Sequence, residues 1–319
     1  MAPGKDVSPP FSPSDAECAR ADSIARSSLT SKTEDLVRGH IHQLAGVIGE
    51  RNVFRPKSLQ AAADYIESVW RAQGYRIEAQ HYAVDGVACA NLEVTKEGRS
   101  RANEILLLGA HYDTVRGCPG ANDNGSGVAA LLEIARLFVD ILPTMTVRFV
   151  AFVNEEPPFF STHHQGSAVY AKAARARGDR IRLMVSLETI GYYRHEPGSQ
   201  GYPPLFRFFY PSRANFIGLV SDFRSRPCMQ RVAQLLRSHT DFPLEHAATF
   251  RWIPGVAWSD HRAFWRQGYR ALMVTDTAFY RYPYYHTPDD TPDKIAYPEL
   301  GRVTDALGRC FGDLALSSS

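Results

Sequence analysis

The chain has 319 residues, a formal net charge of +2, 44% hydrophobic residues and 22% charged ones. That balance fits a globular protein with a sizeable core and argues against the strongly basic footprint of a nucleic-acid binder. No apolar run approaches the ~18 residues of a membrane span, and the five scattered cysteines lack CxxC spacing, which argues against a disulfide framework.

Residues 1–33 are rich in Pro, Ser and Ala and contain no apolar signal core. They read as a mobile tail with a helical turn near Ala16 to Ala25. With no targeting segment in view, the expected location is the cytoplasm. Residues 34–319 read as one domain. Glu34 to Ile48 sets Leu36, Ile41, Leu44 and Ile48 at near-helical spacing. Leu59 to Gln73 repeats the pattern with Ala62, Ile66, Val69 and Trp70, and Gly74 is a natural stop. Tyr75 to Ala83 and Asn91 to Thr95 alternate as strands, with a turn at Asp85-Gly86 joining antiparallel neighbours.

The character then changes. Ile105 to Ala110, Thr146 to Val153, Arg182 to Leu187 and Ala271 to Thr275 are nearly continuous apolar runs, the mark of strands buried on both faces. Helical patterns at Val128 to Phe138, Ser167 to Arg177 and Met229 to Ser238 lie between them, and Tyr297 to Leu316 closes the chain. The expected fold is α/β: a single domain with a mostly parallel, mixed central sheet flanked by helices on both faces. The stretch from Gly191 to Phe223, with its Tyr, Pro and Phe content, reads as a lid or an interface.

Ligands of open α/β sheets bind at the carboxyl ends of the parallel strands. His111 lies just past the first buried run, Glu155 and Glu156 just past the second, Glu188 at the end of the third, and His286 in the loop after the fourth. Asp123 precedes a helix at the same rim, in a Gly-rich loop that allows tight turns. Imidazole and carboxylate groups together suit zinc and similar divalent ions. Pro157 and Pro158 favour an extended exit from the sheet, so that one Glu ligates while its neighbour stays free as a base. Asp113, two residues from His111, is placed to accept the second N–H of that imidazole.

These motifs occur in the order His111-x-Asp113, Asn122-Asp123-Asn124-Gly125-Ser126-Gly127, Asn154-Glu155-Glu156, Leu187-Glu188-Thr189-Ile190-Gly191 and Tyr285-His286-Thr287-Pro288. The ordered set resembles the M28 family of zinc metallopeptidases, which holds aminopeptidases and glutaminyl cyclases. The resemblance covers about residues 34 to 316 and implies two zinc ions bridged by Asp123. His111 and Glu188 would complete one site, and Glu156 and His286 the other. Glu155 would be the general base, Asp113 would orient His111, and the Asp123-Asn124 peptide is often cis. It further implies a peptide substrate with a free N-terminus. Trp258-Ser259-Asp260-His261 resembles the family's loop near the substrate pocket, so Asp260 and His261 are candidates to position substrate. Ser259 and Asp260 are also good helix caps, which makes His261 equally a helix-start residue. Tyr285 stands in the aromatic stretch expected to line the mouth. Two features depart from the pattern. Glu188 occupies a place where the aminopeptidases more often carry Asp, which keeps a single-zinc cyclase open. Tyr285 stands where cyclases usually carry Trp, which favours a peptidase. A non-catalytic binding protein on the same fold is the third reading.

Overall fold

The computed structural model describes residues 30–317, so the helical turn expected near residues 16–25 lies outside the described residues. The first helix, α1 (residues 30–41), begins ahead of Glu34 and continues into a π-helical segment, His42–Ile48. Ile41 and Leu44 of the expected stripe are fully buried, but Leu36 and Ile48 are only half-buried, and Val37 takes the core-facing place expected of Leu36. Helix α2 (Pro56–Ala72) opens on a proline at its first turn and buries Leu59, Ala62, Ile66 and Trp70. It stops before Gly74, whose φ of 88° lies in the region that L side chains avoid.

The strands are β1 (Glu78–Val84), β2 (Val87–Lys96), β3 (Arg101–His111), β4 (Met145–Phe152), β5 (Arg180–Glu188), β6 (Ile217–Ser221), β7 (Leu244–Ala248) and β8 (Ala271–Thr275). They form one eight-stranded sheet in the order β1-β2-β4-β3-β5-β8-β6-β7. The central block β4-β3-β5-β8 is parallel throughout and corresponds to the four apolar runs. On one edge β1 and β2 pair antiparallel through the expected Asp85-Gly86 turn. On the other edge β6 runs antiparallel to β8, and β7 lies parallel to β6. β6 carries a short apolar run, Ile217 to Val220, inside the stretch expected to be a lid or an interface, and β7 carries none. Part of the stretch read as a lid or interface is therefore an ordinary strand.

Helices α3 (Gly127–Leu137), α4 (Gly166–Arg177), α5 (Arg226–His239), α6 (His261–Arg266) and α7 (Tyr297–Leu316) complete the fold. One sheet face packs under α2, α3, α5 and α7 in the larger core, and the other under α4 and α6. Along β5, Leu183, Val185 and Leu187 point to the first face and Met184 to the second, the alternation of a strand covered on both sides. Each fully buried Leu or Phe contributes on the order of 2 kcal/mol, and the two cores together fix the sheet rim that carries the polar residues. Among the described residues no helix is long and apolar enough to cross a membrane.

Candidate metal centre

β3 ends on His111 and β5 ends on Glu188. Asp123 sits in the π-helical turn Ala121–Ser126 that feeds α3, and the Asp123-Asn124 peptide is cis. After β4 the chain does not leave in an extended run. Asn154 has a φ of 60°, and the Phe159 N–H donates to the Glu156 carbonyl at 3.0 Å. This turn frees Glu155 and Glu156 from the opposite-facing rule that binds neighbours within a strand. His286 arrives on the loop after β8 and the 3-10 turn Ala278–Tyr280.

These side chains converge. His111, Asp123 and Glu156 each offer a donor atom within 4.8 Å of the others. Asp123 divides its carboxylate between two imidazoles: Oδ1 lies 3.4 Å from His111 Nε2, and Oδ2 lies 3.0 Å from His286 Nε2. On the His111 side, Glu188 Oε2 lies 3.4 Å from the same nitrogen. On the His286 side, Glu156 Oε2 lies 3.2 Å from His286 Nε2. Two donor sets therefore share one carboxylate. Glu155 stands next to the His111 set, with Oε2 4.0 Å from His111 Nε2. Among the described residues, the buried atoms Asp123 Oδ2, Glu155 Oε1, Glu156 Oε1 and His286 Nε2 have no hydrogen-bond partner of good geometry, close as Asp123 and His286 lie. Buried polar atoms are rarely left so, and lone pairs aimed at a common point suit a divalent cation. Imidazole with carboxylate is a zinc-type donor set.

The charges are strained in the same direction. Burial raises the Glu155 carboxyl well above its ordinary value, with Glu188 and Glu156 adding to the effect. Burial and Asp123 push Glu156 up to about 7, and burial raises Glu188 as well. Burial by itself would lower the two imidazoles. Instead Glu188, Asp113 and Asp123 hold His111 well above its ordinary value, and Asp123 and Glu156 push His286 up to about 10. Asp123 is the exception among the acids: despite burial, the flanking His111 and His286 hold it below the usual carboxylate range. Packing this many buried carboxylates together is costly without a cation among them.

The supporting contacts were only partly visible in the sequence. His111 Nδ1 faces the Asp113 main-chain oxygen at 3.2 Å, with the Asp113 carboxylate further off at 3.6 Å. That carboxylate instead accepts the N–H groups of Glu155 at 3.0 Å and Glu156 at 3.1 Å, joining the β3 rim to the β4 rim. Asp290, which the sequence did not single out, accepts the N–H groups of Asn122 at 2.7 Å and Asp123 at 3.1 Å and so holds the Asp123 loop. Its position four residues after His286 was the only available signal. Ser259 donates to Glu188 Oε2 at 2.7 Å, which gives the longer acid a fixed seat. Arg51 is fully buried and donates to the carbonyls of Tyr112, Pro119 and Gly120 around the same loop; no local motif announced it.

The substrate-side candidates separate. Tyr285 lines a cavity together with Glu188, next to the donor cluster, and its ring stacks on His286 at 3.9 Å. Asp260 is fully buried, neither of its oxygens has a hydrogen-bond partner of good geometry among the described residues, and burial pushes it up to about 7. His261 turns into the core at the start of α6. Its Nε2 faces the Val256 carbonyl at 2.8 Å, its ring meets Trp265 edge-on, and burial lowers it to about 4. That is the helix-start arrangement.

Comparison with known proteins adds ancestry to geometry. Uncharacterized protein YfbL of Escherichia coli is 36% identical over 276 residues, 84% of each chain. A probable leucine aminopeptidase of Arthroderma otae is 25% identical over 232 residues; these are 68% of this chain but only 55% of that protein, so the chain spans about half its length. Among solved structures, BSAP, a zinc aminopeptidase from Bacillus subtilis, superposes with a TM-score of 0.72 at 15% identity, covering 90% of this chain and 96% of its own. Fimbriiglobus ruber glutaminyl cyclase superposes with a TM-score of 0.63 at 20% identity, covering 88% and 94%. The sequence pattern of Peptidase family M28 matches residues 91–310. A match of that extent, over the residues that build this rim, makes the chain a member of peptidase family M28.

Proposed function

We propose that the protein is a zinc-dependent aminopeptidase that hydrolyses the N-terminal peptide bond of peptides through a two-ion centre. The observation that carries this reading is the divided Asp123 carboxylate, one oxygen toward His111 and Glu188, the other toward His286 and Glu156. His111, Glu188 and Asp123 would hold one ion, and His286, Glu156 and Asp123 the other. Bound zinc supplies Lewis acidity to water and to the scissile carbonyl. Glu155 binds no ion in this scheme. Its carboxylate takes the proton of the attacking water and delivers it to the leaving amine. Asp113 keeps Glu155 and Glu156 in register by holding both their N–H groups. Tyr285, on the cavity wall beside Glu188, faces the substrate.

The test is mass spectrometry of a mixed peptide library incubated with zinc-loaded protein, with a chelated control. Chelator-sensitive release of single N-terminal residues is the expected result. Loss of ammonia only from peptides beginning with Gln would move the assignment to a glutaminyl cyclase, whose fold this chain shares. No change in any peptide, from protein carrying its full complement of zinc, would overturn both enzymatic readings.

A further inference from the structure

Beside the donor cluster lies a mostly apolar cavity of about 110 Å³. Its floor is the sheet. Glu188 pairs with Thr275, Thr275 with Gly218, and Gly218 with Glu245, so these residues form one row across β5, β8, β6 and β7. All of them line the cavity. Three strand spacings separate the ends of the row, roughly 14 Å between the Cα atoms of Glu188 and Glu245. Between the two carboxylates Gly218 contributes no side chain and Thr275 only a short one, whose hydroxyl accepts the Thr277 N–H at 2.9 Å, so the floor between them is low.

Glu245 is an unusual end for such a cavity. It is half-buried, and burial raises its carboxyl above the ordinary value. Among the described residues no hydrogen bond or ion pair reaches its carboxylate; His246 and Arg237 act on it only at longer range and offset part of the rise. The surrounding polar groups are committed elsewhere. Tyr202 donates its hydroxyl to Pro211, Tyr210 to the His246 carbonyl, and Arg237 donates to the Leu244 carbonyl. Tyr202 and Phe206 stack against Tyr210 with ring centroids 5.9 Å apart in both pairs, and all three rings line the cavity. A carboxylate without a donor, flanked by aromatic faces, is matched by a cation that has an apolar stem. The span agrees as well. An extended lysine or arginine side chain reaches roughly 6 to 7 Å from its Cα, and with an α-amine near Glu188 its charged tip comes to hydrogen-bonding range of Glu245.

We propose that this cavity receives the side chain of the substrate's N-terminal residue and selects arginine or lysine, the stem lying along the Gly218 floor and the charged tip pairing with Glu245. The proposal rests on the aminopeptidase reading and names its substrate class. The test uses the full zinc-loaded chain and peptides that differ only in their first residue: Arg, Lys, Leu or Phe. The ratio of kcat/KM for Arg to that for Leu is expected to exceed one in the natural protein. Glu245→Gln keeps the side-chain shape, removes the charge and should lower that ratio roughly 10- to 100-fold, the worth of one charge-assisted hydrogen bond. Glu245→Asp, which keeps the charge but shortens its reach, should give an intermediate ratio. Melting curves of both variants separate a lost contact from a lost fold. Release of Leu and Phe with no advantage for Arg or Lys, or a ratio that Glu245→Gln leaves unmoved, overturns the subsite while the aminopeptidase reading stands. Release of no residue from any peptide overturns both.

Discussion

Substitution of Asp113 by Asn tests whether one buried carboxylate aligns the two glutamates. Asp113 is 2% exposed and accepts two main-chain N–H groups, from Glu155 at 3.0 Å and Glu156 at 3.1 Å. Asparagine retains one oxygen for one of these donors and turns an NH2 group toward the other. One charge-assisted bond is lost, and a buried donor is stranded against another donor. The first effect is worth about 1.5–3 kcal/mol and the second about 1–3 kcal/mol; some relaxation of the turn leaves a net cost of roughly 2–4 kcal/mol. For a chain of this length each kcal/mol moves the melting midpoint by roughly 2 °C, so the metal-free variant should melt about 4–8 °C lower. Because Glu156 is a candidate ligand and Glu155 the candidate base, zinc affinity should fall about 10-fold or more and turnover should fall with it. Calorimetry of the metal-free protein, together with zinc competition against a chelator, measures both. A melting point within about 1 °C of the natural protein and an unchanged zinc affinity would refute the reasoning, because the cost assigned to a stranded buried donor leaves no room for either.

Three further outcomes are expected. Glu155→Gln should retain zinc stoichiometry yet lose turnover by a factor of about 100 or more, since it removes the proton carrier and leaves the donor sets in place; metal analysis beside peptide assays checks this. Gly127→Ala should destabilise the protein by roughly 1–3 kcal/mol or more and impair zinc binding, because a Cβ there would clash with the Leu187 carbonyl oxygen and with Asn124 Oδ1. Unchanged melting would show that the loop adapts; the expected penalty follows from close packing, at roughly 1–3 kcal/mol or more for a main-chain clash. The third outcome concerns pH. Burial would raise the Glu133 carboxyl, but His40 at 3.0 Å and Arg136 at 2.6 Å hold it below its ordinary value. A depressed carboxyl stabilises the fold fully above its unfolded pKa of roughly 4.3, and that stability is lost as pH falls through the lower folded value. The stability difference between the natural protein and Glu133→Gln should therefore shrink as pH falls below about 4; a difference that grows over that range would contradict the assignment.

Much of this protein was legible locally. Ile105 to Ala110 and Ala271 to Thr275 announced buried strands because a strand covered on both faces needs apolar residues at every position. Gly74 and the Asp85-Gly86 turn stop or reverse the chain through their own backbone freedom. The order of His, Asp and Glu types along the chain, read against the rule that parallel strands gather ligands at their carboxyl ends, was enough to bring His111, Asp123, Glu156, Glu188 and His286 to one rim. The edge strand β7 was not legible because Leu244–Ala248 carries a Glu and a His and shows no period, and its neighbour β6 was hidden inside a stretch rich in Tyr, Pro and Phe.

What the local pattern could not contain is which atoms of distant segments meet. The spacing of Asp113 from His111 suggested a carboxylate on the imidazole, yet the turn at Asn154 brings two N–H groups to that carboxylate first. Asp290 reaches the Asp123 loop across more than a hundred residues of chain, and Glu245 shares a row with Glu188 only through the register of three strand pairs. Composition and periodicity determine the elements, since those depend on each residue's own volume, polarity and backbone. Hydrogen-bond partners, the split of a carboxylate between two imidazoles and the far wall of a cavity depend on register and packing, which exist only once the whole sheet has closed.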